Sequence, residues 1–304
     1  MAHPETEVLA WASAALAAEV TVVRGLRLGG SPWLLRAGPR LVVLRVAPPE
    51  QAHETRTEVA AMTFAARAAD GVSLAVAEVL GHDPAVRTRY GLVLTSFLPG
   101  TSKIPAQPQA DRLRALGAAA ARISGVTADP DAGLPVRSRP IEGEDFGRMR
   151  REQGASDLLL AAEAAITHYR PSDGRVGLVH GDLWYGNTLW DDGHLSAILD
   201  WDCAGRGPAG IDLGSLRCDA AWSYGLQAAD DILHGWEVEA GRSAVDVPYW
   251  DAVAALASPP DLGWFPESMA DQGRPDLTRE VLVERRDAFL DTAMSRLQAG
   301  SARR

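Results

Sequence analysis

Two short stretches, VHGDLWYGN (Val179 to Asn187) and ILDWD (Ile198 to Asp202), set His180, Asp182, Asn187, Asp200 and Asp202 among apolar neighbours. Between them runs NTLWDDGHLSAI, apolar residues flanking an Asp-Gly turn, which predicts a β-hairpin. With Trp190 opposite Leu195, Asn187 faces Ile198 and shares a face with Asp200 on the diagonal, about 7–8 Å away. A carboxylate and an amide oxygen converging there make a hard-oxygen site suited to Mg2+, whose remaining ligands are waters or phosphate oxygens. Asp182 precedes the hairpin by a short loop, close enough to sit near such an ion without ligating it. An acid in that position can accept a proton from a substrate hydroxyl while the metal neutralises phosphate charge.

His180-Gly181-Asp182 followed by Asn187 fits His-x-Asp-x4-Asn, the catalytic-loop spacing of kinase-type phosphoryl transfer, with Asp200 as the metal-binding Asp after a hairpin. Asn187 is the only asparagine in the chain. Together HGDLWYGNTLW, ILDWD and GPAGIDL (Gly207 to Leu213) resemble the aminoglycoside phosphotransferase family, kinase-like small-molecule phosphotransferases related to choline and homoserine kinases. The resemblance implies an α+β, two-lobed protein-kinase-like fold: a small N-lobe with a five-stranded antiparallel sheet and one main helix, and a larger, mostly helical C-lobe. It implies Mg2+ as cofactor, ATP or GTP as co-substrate, and a small-molecule hydroxyl as acceptor. Asp182 would be the catalytic base, Asn187 and Asp200 the metal ligands, and His180 a brace for the loop. Asp202 would lie near the metal, and GPAGIDL would supply a structural Asp.

The elements that must position these groups follow from pattern. After an amphipathic N-terminal helix, Thr21–Leu28, Pro32–Arg36 and Leu41–Val46 read as a strand meander. Residues 52–69 then read as a helix stopping at Asp70-Gly71, with strands at 74–79 and 91–97. PGTSKIPAQP (Pro99 to Pro108) reads as the linker, giving a nucleotide-binding lobe over 1–99 and a catalytic and substrate-binding lobe over 100–304. Helices are expected at 109–124, 155–169, 212–241, 248–257 and 277–299. By the same resemblance a cation on the third strand holds the nucleotide phosphates and pairs with a helical Glu. Lys103 is the only lysine, so Arg45 takes that role, with Glu58 or Glu54 as partner. Gly30 and Ser31 offer amides to a phosphate, and Ser96, Phe97 and Leu98 form the hinge whose backbone meets the base.

The net charge of −10 argues against a nucleic-acid partner, and no apolar run is long enough to span a membrane. Two cysteines outside any metal spacing point to the cytoplasm. Residues 1–100 balance nine Arg against nine acids, whereas residues 101–304 carry 21 basic against 31 acidic residues. An acidic second lobe suits a cationic antibiotic or an amino alcohol. Trp184, Tyr185, Asp202, Asp219 and Trp264 are the candidate acceptor contacts, in a monomer or homodimer. The alternatives are a non-catalytic, pseudokinase-like nucleotide-binding module and a two-metal phosphohydrolase built on His180, Asp182, His194, Asp200 and Asp202.

Overall fold

The computed structural model describes residues 5–27, 30–52, 54–68, 76–127, 133–172 and 175–301. The chain divides into two units, one of Met1–Gly100 with Pro130–Leu134 and Ser196–Asp202, the other of Thr101–Asp129, Pro135–Leu195 and Cys203–Arg304. The Asp-Trp-Asp stretch thus belongs with the first unit.

In that unit β1 (Val20–Arg27), β2 (Gly30–Ala37), β3 (Arg40–Ala47), β4 (Val79–Pro84) and β5 (Gly91–Ser96) form one antiparallel sheet in the order β1-β2-β3-β5-β4. The predicted meander is present. Of the strand expected at 74–79, residues 74–75 lie outside the described residues and 76–78 are not strand; β4 runs from Val79 to Pro84, and the helix stop at Asp70-Gly71 also lies outside the described residues. Gly81, Asp83 and Pro84 are poor strand formers, so propensity misplaces β4. Pairing fixes it: Gly81 faces Leu94 and His82 faces Val93. The Asp83 carboxylate then ends the strand by accepting the amides of Val86, Arg87 and Thr88 at 2.8–3.1 Å.

The side-chain period of two decides which face of β3 does what. Val42 and Leu44 enter a core with Leu35, Leu92, Leu94 and Trp11 from α1 (Thr6–Leu16). Arg45 consequently stands on the opposite face, with Glu58 reaching it from α2 (Glu54–Ala68).

The second unit contains α3 (Ala110–Gly125), α4 (Phe146–Gln153), α5 (Asp157–His168), α6 (Gly210–Tyr224), α7 (Leu226–Ala240), α8 (Val247–Leu256), α9 (Phe265–Asp271) and α10 (Arg279–Ser301). β6 (Gly177–Val179) pairs with β9 (Gly205–Gly207), and β7 (Thr188–Asp191) and β8 (His194–Ile198) form the predicted hairpin. The single helix expected over 212–241 is two, broken at Gly225, whose φ of +97° ends α6. α4 and α9 were not anticipated; α4 begins where Asp145 accepts the Arg148 amide at 2.8 Å. α3 and α7 cross with backbones in contact, since a Cβ on Gly117 would lie 2.0 Å from the Ile232 carbonyl oxygen.

Arginines secure the irregular backbone here. Arg150 donates to the carbonyls of Leu256 and Ser258, Arg286 to those of Pro259 and Pro260, and Arg279 to those of Asp261 and Gly263. Among the described residues no helix is long and apolar enough to cross a membrane.

Candidate active site

In the first unit the chemistry gathers around Arg45. Its Nη1 lies 3.2 Å from Glu58 Oε2 and 2.6 Å from Asp200 Oδ1, and its Nη2 donates to Asp202. Glu58, not Glu54, is therefore the helical partner shown on Arg45. Burial works against the Arg45 charge, but Asp200, Glu58 and Asp202 outweigh it and hold the guanidinium protonated well above the usual arginine range. Burial, opposed by Arg45 and reinforced by the other two carboxylates, pushes Glu58 up to about 7. Asp200 itself sits in the left-handed region with φ of +65°, a conformation an Asp tolerates better than most side chains. Three carboxylates face one cation, an excess of negative charge that a divalent ion would neutralise.

Two residues expected near the phosphates are placed differently from a free loop. Gly30 and Ser31 open β2, and the Ser31 hydroxyl accepts from the Val46 amide at 3.1 Å. Ser96 ends β5 and exchanges bonds with Glu78, its amide donating to the Glu78 carbonyl and its hydroxyl accepting the Glu78 amide, both at 2.9 Å. Phe97 and Leu98 follow in irregular backbone.

In the second unit the loop from His180 to Asn187 is held from beneath by α6. Asp212, fully buried, accepts the amides of His180 at 2.7 Å and Gly181 at 2.9 Å. Burial raises its pKa, while His180 and those two amides pull it down. Two turns further along the same helix, Asp219 Oδ2 accepts the Tyr185 amide at 3.4 Å. Its fully buried carboxyl is pushed up to about 7, against the pull of the Tyr185 amide and Arg274. Gly181 is required: its φ is +81°, and a Cβ there would lie 2.2 Å from the Cys203 carbonyl oxygen. Its own carbonyl accepts the Ile141 amide at 2.9 Å.

Within the loop Asn187 Nδ2 donates to the Asp182 carbonyl at 2.9 Å and to Asp182 Oδ2 at 3.1 Å. With its nitrogen turned to Asp182, the amide presents its oxygen as the atom a hard cation would meet. Asn187 is not a strand residue facing Ile198, as expected; it closes a 3-10 turn, Tyr185–Asn187, just before β7. The fully buried His180 ring accepts the Asp182 amide at Nδ1, 3.3 Å away, and so braces the loop.

The acceptor candidates divide by exposure. Trp264 is 43% exposed, at the start of α9 and stacked on Phe265. Trp184 is half-buried and its ring covers Gly186. Tyr185 and Asp219 are buried, the Tyr185 ring lying edge-on to Tyr224. Sequence reasoning missed the grip of Asp219 on the loop, the Asp202 contact with Arg45, and Arg112, whose guanidinium lies 4.0 Å from the Trp190 ring centroid at the base of the hairpin. The order Asp212-x6-Asp219 was the only local signal for the first. Among the described residues no three His, Cys, Asp or Glu side chains gather as a metal cluster.

A family model described as the phosphotransferase enzyme family matches residues 22–256. No curated protein matches the chain in sequence. Among solved structures, the macrolide 2'-phosphotransferase apoenzyme of Brachybacterium faecium is 20% identical, with a TM-score of 0.61 over 90% of this chain and 96% of that one. A microcompartment-associated aminopropanol kinase is 16% identical, with a TM-score of 0.63 over 95% and 98% of the two chains. An amicoumacin kinase in complex with AMP-PNP, Ca2+ and Ami is 15% identical, with a TM-score of 0.59 over 95% and 94%. At these identities the structures share the fold with this chain. The family match, which spans well over half the sequence and includes Arg45, Asp182, Asn187 and Asp200, goes further: the chain belongs to the phosphotransferase enzyme family, whose members are small-molecule kinases.

Proposed function

We propose that the protein transfers the γ-phosphoryl group of ATP or GTP, with Mg2+, to a hydroxyl of a small cationic molecule such as an amino-bearing antibiotic or an amino alcohol. Asp182 is the base that takes the hydroxyl proton. Its carboxylate is oriented by Asn187, and the loop beneath both is fixed by Asp212 and Asp219, so the proton acceptor is held in place before the acceptor arrives. That preorganised Asp182–Asn187 pair is the observation that carries the reading.

The donor types suit a hard divalent cation: a carboxylate oxygen from Asp200, one of three carboxylates around a single arginine in the first unit, and an amide oxygen from Asn187 in the second. Asp200 and Asn187 would hold Mg2+, which supplies charge neutralisation at the phosphates. Arg45, kept protonated by its carboxylates, binds the nucleotide phosphates as the lysine of other kinases would. The hinge backbone at Ser96–Leu98 takes the base, and Gly30 and Ser31 border the phosphates through backbone groups. The amicoumacin kinase, bound to AMP-PNP and Ca2+, supports a nucleotide with a divalent cation in this fold. An excess of ten acids in residues 101–304 (31 against 21) supports a cationic acceptor, with Trp184 and Trp264 as its apolar contacts. Use of a nucleoside triphosphate puts the reaction in the cytoplasm.

The test is a panel of hydroxyl acceptors weighted towards cationic antibiotics and amino alcohols, assayed with ATP and with GTP, with and without Mg2+. Asp182→Asn is expected to lower kcat by about 10²–10⁴-fold while calorimetry shows unchanged nucleotide affinity. Near-normal turnover in that variant removes Asp182 as the base. Nucleotide binding with no transfer to any acceptor would leave the binding-module alternative standing.

A further inference from the structure

The Arg45 cluster contains two more carboxylates than a phosphate-anchoring ion pair needs, and the metal role proposed for Asp200 accounts for only one of them. Glu58 and Asp200 share Nη1, whereas Asp202 alone is seen on Nη2, on the other arm of the fork. The segment that delivers the two aspartates is pinned between them: Trp201 is 2% exposed and its Nε1 donates to the Ile198 carbonyl at 3.2 Å. With Trp201 turned into the core, and Asp200 held at positive φ, the carboxylates on either side both reach the same guanidinium.

We propose that Asp202 is a positioning residue for Arg45, and that it favours an arginine where protein kinases use lysine. Charge alone does not require the exchange, because Glu58 could pair with an ammonium. A lysine would meet its carboxylates from one nitrogen whose donors rotate freely; a guanidinium meets Asp202 through Nη2 while Nη1 faces Asp200 and Glu58, from two arms fixed relative to each other. Were Asp200 to turn to a cation, the hydrogen bond from Asp202 would still fix Nη2 and the Glu58 charge, 3.2 Å from Nη1, would still face the other arm, so the orientation of Arg45 towards the nucleotide would survive the loss of its Asp200 contact. The side chains of Arg45 and Asp202 are 25% and 19% exposed, so their pairing is screened less than that of a surface ion pair.

The proposal rests on the nucleotide role of Arg45, and the experiment separates the two. Nucleotide dissociation constants are measured by calorimetry on the full chain for the wild type, Asp202→Ala, Asp202→Asn, Arg45→Lys and the double variant Arg45→Lys/Asp202→Ala. Nucleotide and acceptor KM values and the unfolding midpoint are measured alongside. Asp202→Ala is expected to weaken nucleotide binding about tenfold, with acceptor KM and unfolding midpoint little changed. Asp202→Asn, which keeps one oxygen for Nη2, should recover part of that loss. In the Arg45→Lys background Asp202→Ala should change the affinity less than about twofold, because the fork it positions is gone. Equal, additive losses in both backgrounds overturn the proposal. So does a defect confined to acceptor KM, or one confined to the Mg2+ concentration needed at saturating nucleotide. If the wild type binds neither ATP nor GTP, the nucleotide reading falls and takes this one with it; if it binds and the variants are additive, only the positioning role falls.

Discussion

Replacing Asp219 by Asn should make the protein more stable relative to wild type as the pH rises. The carboxyl is fully buried and pushed up to about 7 from the usual 3.8, although the Tyr185 amide and Arg274 favour its ionised form. A carboxyl raised in this way binds its proton more tightly in the fold than in the unfolded chain, so stability is lost as pH climbs above about 4, and the loss saturates above about 7. At about 1.4 kcal/mol per unit, a difference of about three units costs about 1.7 kcal/mol at pH 5, about 3 at pH 6 and about 4 at pH 8. Asn keeps an oxygen for the Tyr185 amide and never ionises. The difference in unfolding free energy between Asp219→Asn and wild type should therefore move by about 2.5 kcal/mol in favour of the variant between pH 5 and pH 8. Urea unfolding of both proteins at each pH reads this directly, and every other titrating group is common to the pair and cancels. A difference that stays flat across that range, or moves the other way, refutes the reasoning that burial governs this carboxyl.

Gly181→Ala should cost at least about 2 kcal/mol of stability and most of the activity, because a methyl group at positive φ would meet the Cys203 carbonyl oxygen at 2.2 Å. Near-wild-type behaviour would show that the loop can shift without losing function. Arg217→Met should destabilise by about 3–5 kcal/mol in denaturant unfolding, since it strips Asp251 of bonds at 2.8 and 2.9 Å and leaves a buried acid behind. Removing both with Arg217→Met/Asp251→Leu should recover most of that loss, and a double variant as unstable as the single one would contradict it.

What could be read from the sequence was what local spacing encodes. His180, Asp182 and Asn187 lie within eight residues of one another, and Arg45 was singled out as the cation in the strand Leu41–Val46 of a chain with no lysine before Lys103. Contacts set by packing were not legible. Glu54 and Glu58 lie one helical turn apart, and only the docking of α2 on the sheet selects Glu58 for Arg45. Asp219 reads as an acceptor contact until α6 is known to run beneath the catalytic loop, where Asp212 and Asp219, seven residues apart, share its inner face. β4 was misplaced because its pairing with β5, not its composition, makes it a strand. Asn187 was assigned to a strand because the pairing on either side of the Asp-Gly turn was carried back one residue too far, into a 3-10 turn that serves Asp182 instead.

The composition held a further signal whose meaning depends on three-dimensional structure. A chain with one lysine and 29 arginines could be taken for a matter of nucleotide usage alone, since the two residues carry the same charge. Their geometry differs, and the arginines here are used for it. Arg150, Arg279 and Arg286 each bridge two carbonyls in the stretch 256–263 that turns α8 towards α9, and Arg274 and Arg285 hold the carbonyls that end α6. α6 carries both aspartates that grip the catalytic loop, so cations remote from the chemistry fix the helix on which its geometry depends. Arg150, Arg285 and Arg286 meet both carbonyls from a single Nη1, as the three donors of an ammonium also could, but Arg279 and Arg274 place Nη1 and Nη2 on separate carbonyls, which one lysine nitrogen cannot do from two arms fixed relative to each other. Arg45 is the same device placed among carboxylates instead of carbonyls, which is why its replacement of the expected lysine is better understood as a requirement for two rigid arms than as a tolerated exchange of one positive charge for another.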